Sequence, residues 1–229
     1  FAWLDKVKSV SIPNSITSIG VSAFESNQLT SVIIPNGISE ISAGAFAGNN
    51  LTDVQIPDGV TAIMGNQSVG GFSSNDLLSV NIPDSTHTIG VNAFASNQLA
   101  NIDIPDSVVS IDEKAFKGND LTNIIIPDNV NYIGDGAFDE NPLETISIAA
   151  DAPFPVSVFP EGVLIDYRGV DQSPVDISSS SSTFDENIAN GSAVATLSTT
   201  DPDAGDTHTY SLVTGDGDTD NSAFTIDGD

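Results

Sequence analysis

Carboxylates are the main chemical resource of this 229-residue chain: 32 Asp and Glu stand against 5 Lys and Arg, for a formal charge of −27. Their spacing limits what they can do. Asp216, Asp218, Asp220 and Asp227 fall at positions one, three, five and twelve of a calcium-binding loop. Such a loop needs a glycine at its sixth position and a helix behind it, whereas Asn221 holds that position and the strand-like AFTI follows. These four acids are therefore read as a solvated loop between strands. General acid–base catalysis needs carboxylates drawn together in one pocket, and here the acids are scattered evenly over turns. G-x-S-x-G, H-E-x-x-H and Walker patterns are absent. His87 replaces a Ser or Thr of its column and reads as a surface substitution, while His208 lies beside acids in a strand-like segment and is free to titrate. With no cysteine, disulfides, thiolate metal sites and cysteine nucleophiles are excluded. The residue types point away from an enzyme. The charge repels nucleic acid and anionic membranes, so neither is an expected partner, and no apolar run approaches the ~18 residues of a membrane helix.

The elements that carry these residues are repeats. IPNSITSIGVSAFESNQL, residues 12–29, returns in five variants, and the prolines fall at 13, 35, 57, 83, 105 and 127. The spacing is 22 residues except for one step of 26, a solenoid signature. Leu29, Leu51, Leu77, Leu99, Leu121 and Leu143 form one column, followed by V-x-I pairs such as Val32/Ile34 and Ile124/Ile126. Period-two, β-branched spacing predicts one short strand per repeat, stopped by the proline, and a parallel sheet along one face. A second apolar pair, for example Ile38/Ile41 and Val108/Ile111, predicts another extended segment on the opposite side. An Ala-Phe step then places a ring in the interior, and the Asn three residues on can satisfy backbone groups of successive coils. The long repeat inserts four residues between Ile63 and Phe72, where Gly65, Gly70 and Gly71 predict a surface bulge.

The pattern L-x-x-V-x-I-P-[DN]-x-V-x-x-I-x-x-x-A-F-x-x-N resembles the leucine-rich repeats of BspA-like bacterial surface proteins over residues 1–149. The resemblance implies a leucine-rich repeat solenoid displayed on or outside cells, binding proteins, matrix or glycans of other cells or a host. The opening FAWLDKVKSV reads as the tail of an earlier repeat with Trp3 at its end. Together with the absence of an initiator Met, it suggests a piece of a longer chain. DAPFPVSVFPEGVLIDY loses the pattern and is expected to cap the open core. What varies between coils can recognise a partner. The outward strand positions Ile33, Gln55, Asn81, Asp103 and Ile125, with Ser31, Asp53, Ser79, Asn101 and Asn123 beside them, form a polar strip on the expected concave face. The loop at Met64–Gly70 is the other variable feature. The strip reads equally as a binding surface or as the solvated side of a passive spacer.

From residue 172 onward there are eleven acids and no Lys or Arg, and short alternating segments such as GSAVATLS and THTYSLV are separated by Asp/Gly turns. QSPVDISSSSSTF reads as a linker leading into a first strand, and the whole as part of a β-sandwich. FDEN (184–187), TDPDAGDTHTYSL (200–212) and AFTIDGD (223–229) resemble the motifs of a cadherin-like domain of the bacterial surface type. That resemblance implies calcium ligands at Glu186, Asp201, Asp203, Asp227 and Asp229, with Asp171 at the linker; hard oxygen donors suit Ca²⁺. The expected organisation is a solenoid over 1–149, a cap and linker over 150–171, and the N-terminal half of a cadherin-like sandwich over 172–229. The expected function is non-catalytic adhesion or protein binding at the cell surface or outside the cell. A passive stalk is the alternative, and part of a secreted enzyme is the least favoured reading.

Overall fold

The structure, a computed structural model, describes residues 6–168, 176–180, 193, 195–200 and 210. The chain divides into two compact units, Phe1–Gly169 and Val170–Asp229. The first is a parallel β-solenoid. Strands β1 (Glu40–Ile41), β2 (Ala62–Ile63), β3 (Thr88–Ile89) and β4 (Ser110–Ile111) are joined by β5 (Asn123–Ile125), β6 (Tyr132–Ile133), β7 (Thr145–Ala149) and β8 (Leu164–Arg168).

The continuous sheet lies on the second extended segment, not on V-x-I. β1, β2, β3, β4 and β6 pair in parallel and in register, Ile41 to Ile63 to Ile89 to Ile111 to Ile133. The coils of β2, β3, β4 and β6 each send such backbone bonds to the coil before, as in Val109 N–H to His87 C=O at 2.9 Å and Asp112 N–H to Ile89 C=O at 2.8 Å. The V-x-I face carries only the bridges Ile33–Gln55 and Gln55–Asn81, until β5, β7 and β8 form a three-stranded ladder at its far end. Proline explains part of this difference. It supplies no N–H, and so it cuts the ladder at Pro35, Pro57, Pro83, Pro105 and Pro127. Where the proline is replaced by Ala149, β7 runs to five residues and pairs with β8 over its whole length.

The interior follows the repeat columns. Phe46, Phe72, Phe94, Phe116 and Phe138 are fully buried. With Phe24 they stack coil upon coil at 5.5–5.7 Å between ring centroids and 5–10° between planes. Parallel rings at this separation add about 0.5–1.5 kcal/mol per pair beyond their area burial. Residues 150–168 extend this core without the repeat signature. Phe159 lies 6.2 Å from Phe138, tilted by 36°, and Phe154 meets Phe159 edge-on.

The Asn column binds the coils together. Asn97 accepts the Leu77 N–H at 3.1 Å and donates to the Phe72 and Phe94 carbonyls at 3.1 and 3.0 Å. Asn49, Asn75, Asn119 and Asn141 repeat the arrangement. Each amide thereby pairs a buried Leu N–H of the coil before it, and each Phe carbonyl is shared between the amides of two successive coils.

The four-residue insertion is the expected surface bulge: Asn66, Gln67 and Ser68 are exposed at its tip, a Gly65–Gly70 bridge closes it, and its base is docked on the next coil. Asn66 N–H bonds the Val69 carbonyl, the Asn66 side chain accepts the Ser68 and Val69 N–H groups, and Gly70 and Gly71 are buried. A Cβ on Gly65 would sit 1.6 Å from the Val91 carbonyl oxygen, so only glycine lets this loop lie against the next coil. Gln67 donates to Glu113 at 3.1 Å; the bond from Lys114 first, and that from Gln67 second, hold the Glu113 carboxyl below its ordinary range.

In the second unit β9 (Asp176–Ser179) and β10 (Leu197–Thr200) pair antiparallel. β9 therefore begins inside the segment read as a linker. Its serines work as strand residues, with Ser178 and Ser198 hydroxyls 2.8 Å apart across the pair and Thr196 N–H donating to Ser180 Oγ at 2.8 Å. Thr199 and Tyr210 share a further hydroxyl–hydroxyl bond.

Candidate partner-binding face

The strip residues are where alternation along V-x-I places them. Val32, Ile34, Val54 and Ile56 turn inward and are buried, which turns the residues between and before them outward. Ser31, Ile33, Asp53, Gln55, Ser79, Asn81, Asn101, Asp103, Asn123 and Ile125 are all exposed. Ile33 keeps 82% and Ile125 65% of its accessible surface, so neither isoleucine serves the core. The bridges Ile33–Gln55–Asn81 hold the first half of the strip in register, and β5, β7 and β8 hold the second.

Between these two halves the ladder is interrupted. The segment 101–104 pairs with neither neighbouring coil among the described residues, and it lines a cleft of ≈ 720 Å³. Asn101, Asp103, Asn123 and Ile125 line it, together with Asp106, Asp128 and Arg168. Four of the ten strip residues thus share one concavity. The other six lie along the face outside it.

Arg168 and the Pro-Asp column were not legible as site residues. Arg168 comes from β8, outside the repeat pattern, and reaches back over two coils. It donates to the Ser147 carbonyl at 2.9 Å, the Ile126 carbonyl at 2.7 Å and the Asp128 carboxylate. Asp106 and Asp128 follow the prolines, a position read only as a strand stop, and they face the same cleft as the strip. The signal available was composition: Arg168 is the chain's single arginine.

No catalytic grouping emerges from the described residues. His87 is exposed on the opposite segment, and its backbone belongs to the sheet ladder. No group of three or more His, Cys, Asp or Glu side chains is placed to hold a metal ion among the described residues. The proposed calcium ligands Glu186, Asp201, Asp203, Asp227, Asp229 and Asp171 lie outside the described residues, as do Asp216, Asp218, Asp220 and His208. No described helix is long and apolar enough to cross a membrane.

The first unit is thus a parallel β-solenoid of about six turns on leucine-rich coils, carrying a polar outward strip. The chain belongs to the BspA type leucine-rich repeat family, whose model matches residues 1–68 and 68–159 in six copies. No curated protein matches it. Among solved structures it is similar to the pneumococcal vaccine antigen PcpA, with 22% identity over 54% of this chain and 31% of that one (TM-score 0.47). It is also similar to a leucine-rich repeat protein from Bacteroides ovatus ATCC 8483, at 22% identity over 62% of this chain and 49% of that one (TM-score 0.36). A third is a leucine rich cell surface protein from Faecalibacterium prausnitzii A2-165, at 22% identity over 72% of this chain and 61% of that one (TM-score 0.37). The chain spans less than two thirds of the length of each.

Proposed function

We propose that this chain is a non-catalytic protein-binding or adhesion module, displayed outside the cell or on its surface, that engages a partner through the outward strip. The observation that carries this reading is the exposure of Ile33 and Ile125 on a face whose side chains take no part in the core. Membership of the BspA-type family supports the location, and repeat solenoids characteristically bind along an extended face. Two large apolar side chains on an otherwise polar strip give a partner burial energy, and the amides and hydroxyls around them give it direction.

The test is attachment of the full chain to an array of purified matrix proteins and glycans, against Ile33→Ser/Ile125→Ser. Specific retention that the double variant loses, with its melting temperature unchanged, supports the reading. Equal attachment of the two proteins makes the solenoid a spacer. The cadherin-like calcium segment is a separate proposal and rests on the motif resemblance alone. A chain carrying the completed second domain should melt higher in about 1 mM calcium than in chelator. Identical melting in the two buffers removes calcium from the account.

A further inference from the structure

We propose that residues 1–5 close the open first end of the solenoid by laying the Trp3 indole on the coil of Phe24; the proposal is independent of the binding role of the strip. Three observations lead there. The first is an unfinished core. At the far end Phe154 and Phe159 carry the packed rings beyond Phe138. At the first end Val10, Ile12, Ala23 and Phe24 are only half-buried and Ile16 is exposed, whereas Val32, Ile34, Ala45, Phe46 and Ile38, the same columns one coil on, are buried. These five residues and Ile19 line an apolar cleft of ≈ 360 Å³. A solenoid end of this kind needs a cover.

The second is direction. On the Phe step each coil donates forward, as in Phe24 N–H to Ala45 C=O at 2.9 Å and Phe94 N–H to Ala115 C=O at 2.8 Å. The carbonyls of this step therefore face the first end, and those of Val21 and Ala23 accept no bond among the described residues. A chain running in the same sense as the coils brings N–H groups to them. A second copy set end to end would bring carbonyls against carbonyls, and the far end is already covered by Phe154 and Phe159.

The third is reach. Asn27 accepts the Val7 N–H at 2.9 Å, as Asn49 accepts that of Leu29, so the chain enters the first coil in the repeat register. In the next coil the ring stacked on Phe24 belongs to Phe46, five residues before Leu51. Five residues before Val7 is Ala2, with Phe1 and Trp3 on either side. Five residues extend to about 16 Å, ample for one ring spacing of 5.6 Å. Trp3 is the nearer ring to the anchored Val7, so ordering it costs less chain entropy than ordering Phe1.

Trp3, which lies outside the described residues, is the chain's single tryptophan, so its fluorescence reports this contact alone. In the full chain the indole should emit at shorter wavelength than in the urea-unfolded chain and resist acrylamide quenching several-fold more. Ile16→Ser on the cleft should undo both effects. Leu78→Ser, at an exposed apolar site elsewhere on the solenoid, should change neither. A second arm separates the contact from misfolding. Deletion of residues 1–5 should keep the far-ultraviolet circular dichroism, lower the melting temperature by about 2–4 °C and increase binding of an apolar dye. Emission as red as that of the unfolded chain overturns the proposal, as does blue emission that Ile16→Ser leaves unchanged. A deletion that alters neither melting nor dye binding overturns it too. Emission that shifts with protein concentration, together with a doubled mass in light scattering, would give this end to a second copy and equally overturn it.

Discussion

The inner columns and the outward strip belong to the same coils and follow opposite rules. Inside, Phe46, Phe72, Phe94, Phe116 and Phe138 are one residue type in one geometry, and Asn49, Asn75, Asn97, Asn119 and Asn141 close the same bonds each time. Outside, the equivalent position is Ile33, then Gln55, Asn81, Asp103 and Ile125, all exposed. A solenoid coil contacts only its neighbours, so the interior must repeat for the next coil to fit, while the exterior has no such constraint. Folding and recognition are thus assigned to different atoms of one unit. A substitution inside should lower stability, and one outside should leave stability within about 0.5 kcal/mol while changing binding.

The strongest challenge to that separation is Asn97→Leu. It removes the acceptor for Leu77 N–H and the donor for the Phe72 and Phe94 carbonyls in a buried setting. The Phe72 and Phe94 carbonyls keep the amides of Asn75 and Asn119, so only the Leu77 N–H is left unpaired. That orphan at about 1–3 kcal/mol, with two lost bonds at about 0.5–1.5 kcal/mol each, should cost about 2–6 kcal/mol in urea unfolding. A loss below about 1 kcal/mol would mean that water takes the place of the amide and that the column is not what joins the coils. Phe94→Ala should cost about 3–5 kcal/mol, because a ring stacked on both sides leaves a cavity its neighbours cannot fill. Phe24→Ala is the comparison within the column. Phe24 is only half-buried, so its loss should be clearly smaller, and equal losses would show that stability does not scale with burial here.

Repetition made the interior legible. A side chain recurring every 22 residues reveals the ring stack, the Asn bonds and the leucine column, because each needs a particular residue type. Features that depend on backbone placement stayed hidden. Both extended segments carry β-branched pairs, and side chains alone do not say which one closes a hydrogen-bond ladder. Left-handed residues flank the Phe step at Ser22, Gly44, Asn92, Lys114 and Gly136, and again at Ser26, Gly48, Ser96, Gly118 and Glu140. No shared residue type marks them, since Lys114 and Glu140 occupy places where glycine is the easy choice. The break at 101–104 is likewise invisible, for Ile102 and Ile104 keep the V-x-I pattern while their backbone pairs with nothing described. The ten strip residues were legible as exposed. Their division between an open cleft and a bridged ladder was not, because Arg168 and the Pro-Asp positions that shape it lie outside the alternation.

Arg168 tests the boundary between the two regions, since it serves both. Its guanidinium joins the last strand to two earlier coils and also lines the cleft. Arg168→Gln should lower stability by about 1–3 kcal/mol through loss of charge-assisted bonds to partly buried carbonyls. A loss below about 0.5 kcal/mol would mean that water replaces the guanidinium at both carbonyls and that Arg168 does not hold the last strand to the earlier coils.

The smallest effect concerns Asp112, a carboxylate in a column held elsewhere by Gly20, Ser42, Met64, Gly90 and Gly134. Burial pushes its carboxyl above the ordinary value, against a smaller opposing effect from a hydrogen bond with Ser110. The folded chain therefore holds this proton more tightly than the unfolded chain does. Below the unfolded value both states are protonated and the burial costs nothing electrostatic; as pH rises through the folded value, ionising a half-buried acid removes stability. Asn has the same shape and never carries the charge. Asp112→Asn should accordingly raise the urea midpoint at pH ~7 and leave it unchanged near pH ~3. An equal gain at both pH values would locate the effect in packing or in the Ser110 bond. No gain at neutral pH would mean that solvent already reaches this position well enough for the interior to accept a charge there.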